Sequence, residues 1–235
     1  MDTGRKHKGL LVAFDGLDSS GKETQSRLFV EKLEQLGKTV RKFQTPDYTT
    51  KSGQELKKRL QGKLGDWHAT PWQEKLEYFA RNRAEHREEV LAALERGDVV
   101  VYDRYVGSSL AFVAVEAAEH DGERDKEEVY KAVREKEYGT NGMPVEDLSI
   151  FLDVPPVVTT ALLEKRKAKL QADDEYTDHI HVQEQLYAEY QHLTTADPAR
   201  YARIICTENH KLLSIEEIQA KVWTRFLDAF PHIAE

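Results

Sequence analysis

With 235 residues, 40% of them hydrophobic and 9% aromatic, the chain suits one large domain or two small ones and is too apolar for a disordered tail. Forty-two acidic residues against 34 basic ones give a net charge of −8, which argues against a general binder of nucleic acid or of membrane surfaces. No apolar run approaches the ~20 residues that span a bilayer, the MDTGRKHKG start lacks a signal-peptide core, and the lone Cys206 excludes an internal disulfide framework, so a cytoplasmic protein is expected.

In chain order, Leu10–Asp15 (LLVAFD) reads as a first buried strand, and a helix follows from Gly21 to Leu36, stopped at Gly37. Val40–Gln44 is a weaker strand that leads into Thr45-Pro46-Asp47-Tyr48. Thr70 to Arg96 reads as one long helix, with Thr70 as cap, Pro71 at the first helical position, Gln73 completing a capping box and Gly97 as terminator. Further strands are expected at Val99–Asp103 (VVVYD), Ser149–Val154 (SIFLDV) and Arg203–Cys206 (RIIC). Ser214 and Glu217 cap a last helix. Because these runs are nearly continuously apolar rather than alternating, they predict strands buried on both faces, hence an α/β fold with a parallel sheet. Two charged stretches, Glu116–Asp147 and Lys165–His181, are each either a solvated helical insertion or a mobile flap. His179-Ile-His181 lies in the second and reads as surface rather than as a metal site.

The most informative segment is Gly16-Leu17-Asp18-Ser19-Ser20-Gly21-Lys22, a G-x-x-x-x-G-K core between a strand and a helix start. Glycines let successive backbone N–H groups turn inward, the helix N-terminus adds its positive end, and Lys22 would neutralise the outer phosphates of a nucleotide. The hydroxyl that usually follows the lysine is replaced by Glu23, with Thr24 next. A second site is suggested by Asp103 and Arg104 at the carboxyl end of a strand, where ligands of open parallel sheets bind. Phe79 and Arg83 are four residues apart and share a helix face with Leu76 and Ala80. An arginine on such a stripe is costly unless it meets an anion or an acceptor.

The segments FDGLDSSGK, YFARNR, VVVYDRYVGSSLAF and FLDVPP, in that order and spacing, resemble the thymidylate kinases, over about Gly9 to Ile218. The resemblance implies a P-loop kinase fold, a five-stranded parallel sheet flanked by helices, with one domain over 1–235 and a mobile lid at about 165–181. It also implies a homodimer, ATP as donor, Mg2+ as cofactor, no nucleic-acid or membrane partner, and phosphorylation of dTMP to dTDP in dTTP biosynthesis. A kinase for another deoxynucleotide or deoxynucleoside, and a nucleotide-binding regulator with impaired catalysis, are the alternatives.

By the same resemblance, residues Gly16 to Gly21, Lys22, Glu23 and Thr24 would hold ATP phosphates, with Leu17, Asp18, Ser19 and Ser20 forming the loop between the glycines. Asp18 would also accept from the acceptor's 3′-hydroxyl. Phe79 would stack on thymine and Arg83 would donate to its exocyclic oxygen. Ser108 and Ser109 would lie beside the base, and Phe112 beside C2′. Asp103 would organise Mg2+ directly or through water, helped by Thr24 or Glu23, and Arg104 would grip the acceptor phosphate. Catalysis would rest on Lys22, Asp103, Arg104 and a lid cation, Arg166, with Lys165, Lys167 and Lys169 as the other candidates. Three positions depart from the family pattern. Tyr48 replaces an arginine on the acceptor phosphate, Ser19 leaves the loop without its arginine, and Glu175 stands before Tyr176 where a lid arginine is usual.

Overall fold

In the computed structural model, residues 7–121, 125–170, 180–209 and 211–233 are described, the side chains of 120, 121, 166–170 and 180 apart. Five strands, β1 (Leu10–Asp15), β2 (Val40–Gln44), β3 (Val99–Asp103), β4 (Leu148–Asp153) and β5 (Tyr201–Ile205), form one parallel sheet in the order β2-β3-β1-β4-β5. The strands with continuous apolar sequence, β1, β3 and β4, take the three central places and are buried almost throughout. The edge strands β2 and β5 are less covered: Arg41, Lys42 and Gln44 of β2 and Arg203 and Ile205 of β5 are exposed.

Alternation sorts the core into two layers. Leu10, Val12 and Phe14 of β1 pack with Phe29 and Leu33 of α1 (Lys22–Gln35) and with Ile218, Val222 and Phe226 of α9 (Ile215–Ala229). Leu11 and Ala13 face the opposite side. There they meet helices α3 (Trp72–Ala84), α4 (Arg87–Arg96), α5 (Val106–Asp121), α6 (Lys126–Arg134) and α8 (Ile180–Ala196). Hence α1 leaves β1 toward one face, while α5 leaves the neighbouring strand β3 toward the other. Their carboxyl ends are level, with Phe14 opposite Asp103. The divergence opens a crevice at that point, the switch point where α/β sheets bind ligands.

The expected caps are partly right. Ser214 and Glu217 form a capping box at α9, and Gly37 takes positive φ just after α1. The single helix over Thr70–Arg96 is a misreading: it is α3 and α4, broken at Glu85 and His86. The break has a tertiary cause. Glu85 accepts from the Ser52 N–H at 3.2 Å and His86 Nε2 meets Asp47 at 3.0 Å, so both side chains clamp the 47–52 segment that opens α2 (Lys51–Leu60). The start is also different. Pro71 holds the cap position without a side-chain bond, because the Thr70 hydroxyl donates to the Asp66 carbonyl, and Gln73 completes no box. Among its described residues, the stretch Glu116–Asp147 is neither flap nor fully solvated. Beyond α5 it forms α6 and a π-helical turn, Glu135–Thr140, and Val129, Tyr130, Val133 and Met143 lie in the core. Of Lys165–His181, α7 (Pro156–Leu170) and α8 supply the two ends; Glu175, Tyr176, His179 and the Arg166, Lys167 and Lys169 side chains lie outside the described residues.

Candidate active site

Two subsites meet at the carboxyl ends of β1 and β3. The first is the loop from Gly16 to Gly21 at the head of α1. Gly16 has φ 142°, and a Cβ there would stand 3.0 Å from the Leu152 carbonyl oxygen and 2.9 Å from Ser20 Oγ, so only glycine lets the loop pass against β4. Lys22 folds back over the loop, its Nζ donating to the Leu17 carbonyl at 2.6 Å. Burial, reinforced by Arg104, pushes the Lys22 ammonium down to about 8, although Asp18, Asp103 and Asp15 pull the other way. The buried Ser19 and Ser20 hydroxyl oxygens have no protein partner. Buried polar atoms are rarely left so, and a loop that presents them with a desolvated ammonium is built for an anion.

The second subsite is a cavity on the other side of that loop, walled by Gly16, Leu17 and Asp18 and by Thr45, Pro46 and Tyr48 after β2. The far wall is Phe79 and Arg83 of α3 with Ser108, Ser109 and Phe112 of α5. Helical spacing does the positioning: Phe79 and Arg83 share one face of α3, and the rings of Phe79 and Phe112 meet edge to face at 5.2 Å. Arg83 does not snorkel to solvent. It is 1% exposed, donates through Nη2 to the Tyr105 carbonyl at 3.1 Å and through Nη1 to Glu137, and keeps its Nε without a partner.

Arg104 joins the subsites. It holds φ 65°, a left-handed conformation that costs a residue other than glycine about 1–3 kcal/mol. The surroundings enforce it: the backbone N–H donates to the Phe14 carbonyl at 2.9 Å, Nη1 donates to the Gly16 carbonyl at 2.9 Å, and Nη2 pairs with Asp18. Beneath this turn lies Asp15, a buried carboxylate that the sequence reading passed over. Its Oδ1 accepts from Ser108 Oγ at 2.5 Å and from the Tyr105 N–H at 3.3 Å, and its Oδ2 accepts from Ser149 Oγ at 2.5 Å. Ser108 therefore lines the cavity but commits its hydroxyl hydrogen to the phosphate-loop scaffold. A charge closing an otherwise apolar strand was the available signal for Asp15.

The structure thus brings Asp18, Phe79, Arg83, Arg104, Ser108, Ser109 and Phe112 to one cavity, and Lys22 does not line it. Glu23 is exposed in the first turn of α1, while Thr24 and Asp103 are half-buried. Gln183, Leu186 and Tyr190 of α8 complete the cavity wall, and Glu137 supports it from behind; the sequence marked none of the four. Arg166 is outside the described side chains.

The family model for thymidylate kinase matches residues 14–221. The thymidylate kinase of an Exiguobacterium species is 30% identical over 215 residues, 91% of this chain and 92% of its own. That of Bifidobacterium longum is 31% identical over 218 residues, 91% of this chain and 95% of its own. Among solved structures, the thymidylate kinase of Candida albicans matches with a TM-score of 0.70 over 98% of this chain and 96% of its own, a likeness of fold at 22% identity.

Proposed function

The chain belongs to the thymidylate kinase family and is a dTMP kinase; from that premise we infer that the γ-phosphoryl group of ATP passes across the Gly16–Asp18 loop to the phosphate of dTMP, giving ADP and dTDP. One observation carries this most directly: a cavity with an aromatic ring, a buried arginine and a second arginine abuts the outer side of a phosphate loop.

Each residue then has a task that its position supports. Phe79 offers its face to the base and Arg83 donates to the base's exocyclic oxygen. Arg104, tied to the loop, meets the acceptor phosphate, and Lys22 meets the donor phosphates. The attacking phosphate oxygen is already anionic near neutral pH, so no strong base is needed, and positioning with charge stabilisation does the work. No group of three carboxylate, imidazole or thiolate ligands exists among the described residues. Asp103 lies near enough to Lys22 and Arg104 to act on both charges. A single carboxylate beside a phosphate loop fits magnesium, which takes most of its ligands from phosphate and water; Asp103 would hold it, with Thr24 or Glu23 as a further oxygen donor. When bound, the ion supplies neutralisation of phosphate charge.

The same reading extends to a single domain over 1–235 with 165–181 as lid, supported by the basic Lys165, Arg166, Lys167 and Lys169 in the last turns of α7 and by the place of α8 in the cavity wall. A homodimer is proposed from the family resemblance. A cytoplasmic location is proposed from composition; among the described residues no helix is long and apolar enough to cross a membrane. The deciding experiment is an acceptor screen by coupled ADP release with dTMP, dUMP, dCMP and thymidine. The expected result is fastest turnover with dTMP and none with thymidine, which lacks the acceptor phosphate; equal ADP release with all four, or none with any, overturns the assignment.

Lys22 gives a pH-dependent signature. Its ammonium titrates at about 8 when folded, against 10.5 when free, so its buried charge is a full cost below that range and stability rises as pH climbs through it. Donor phosphates restore the charge. ATP binding at pH 8.5 is therefore expected to take up protons, and binding at pH 6.5 to take up fewer through this group. Calorimetry in two buffers of different ionisation enthalpy reads the difference, and Lys22→Met should abolish the uptake at pH 8.5.

A further inference from the structure

Among the buried polar side chains that line the cavity, Arg83 from α3 and Ser109 from the first turn of α5 form one polar edge, with Thr45 and Gln183 also in the lining. Arg83 and Ser109 are both backed by a carboxylate that comes from neither helix. Glu137, in the π-helical turn Glu135–Thr140, is 0% exposed, and its Oε1 accepts both from Arg83 Nη1 and from Ser109 Oγ, the latter at 3.1 Å. Burying a carboxylate is expensive, and its ion pair with Arg83 offsets that. The bond to Ser109 has a separate effect. Ion-paired with a guanidinium, Glu137 offers only acceptors, so the single hydroxyl hydrogen of Ser109 must point at it. What Ser109 turns to the cavity is then acceptor only. Arg83 can only donate, and its buried Nε–H has no protein partner.

The edge therefore carries a donor beside an acceptor, in fixed polarity. Thymine and uracil present the complement, an O4 acceptor beside an N3–H donor. Cytosine presents the reverse, an N4 amino donor beside an N3 acceptor, and would leave buried polar groups facing like against like. We propose that Glu137 is a specificity-positioning residue: by holding Arg83 and fixing the hydroxyl polarity of Ser109, it makes the cavity select 4-oxo over 4-amino pyrimidine nucleotides. The proposal rests on the cavity being the dTMP site. It assigns Glu137 a role beyond neutralising Arg83, because charge balance alone would not distinguish the two kinds of base.

The test is the affinity of the purified protein for dTMP, dUMP and dCMP by titration calorimetry, with wild type, Glu137→Gln and Ser109→Ala. Glutamine keeps the volume but can turn its amide N–H to Ser109, which frees the hydroxyl to donate into the cavity. Glu137→Gln is expected to weaken dTMP and dUMP together by about tenfold while dCMP stays within about twofold, so that the preference collapses. Ser109→Ala should also narrow the preference, and adding Glu137→Gln to it should narrow it little more, because the two act through one bond. Equal weakening of all three nucleotides, or an unchanged dTMP-to-dCMP ratio in folded Glu137→Gln, overturns the proposal. Should that variant not fold, as judged by circular dichroism, an unchanged ratio in Ser109→Ala overturns it alone. A wild-type protein that does not prefer dTMP to dCMP would instead sink the dTMP assignment, a different failure from an unchanged ratio in a protein that does.

Discussion

Lys22→Ala is expected to lower turnover by about 10²–10³-fold, the usual loss when one preorganised charge is removed from a transferring phosphoryl group. The lysine is buried at the head of α1 and its ammonium is partly desolvated, so it gains more from meeting phosphates than an exposed lysine would. The cavity proposed for dTMP, by contrast, is walled by Gly16, Leu17 and Asp18 and not by Lys22. Affinity for dTMP should therefore stay within a few-fold of wild type. Single-turnover rates paired with dTMP calorimetry separate the two effects. Turnover near the wild-type value would remove the phosphate loop from the mechanism, and an equal loss of dTMP affinity would mean that the loop had collapsed.

The second large effect is expected at Asp103. Asp103→Asn should weaken magnesium-dependent ATP binding by about 10–100-fold, as loss of an ion-orienting carboxylate commonly does, whereas Glu23→Ser should leave it within a few-fold. The contrast follows from placement. Asp103 ends β3, level with Phe14, half-buried and close to Lys22 and Arg104. Glu23 is exposed in the first turn of α1, where its negative charge is favoured by the helix dipole without turning toward phosphate. Calorimetric titration of ATP at several magnesium concentrations measures this without reference to turnover. The opposite ranking would make Glu23 the ligand.

The sheet and the phosphate loop were legible because their signals are local. Five apolar runs separated by helical patterns are enough for a parallel sheet, and a glycine-rich turn between strand and helix is enough for an anion site. The α3–α4 break was not legible, since it depends on Glu85 and His86 reaching a loop more than thirty residues earlier in the chain. Glu137 was hidden for a related reason. It sits in the run Arg134-Glu135-Lys136-Glu137, which by composition is solvent-facing, and only the packing of the π-helical turn against α3 and α5 reveals one fully buried charge among exposed and half-buried ones. The α8 residues carry no motif and enter the cavity only through the tertiary fold.

Arg104 holds the loop by the Gly16 carbonyl and by Asp18, and the same guanidinium lines the neighbouring cavity. With ATP at the loop and dTMP in the cavity, as proposed above, a single side chain belongs to the binding equilibria of both nucleotides. Whatever free energy dTMP gains or loses by drawing on that guanidinium is transmitted to the loop that receives ATP, and thermodynamic linkage requires ATP to return the same factor to dTMP. That assignment makes the two nucleotides each other's effectors through one fork of N–H groups.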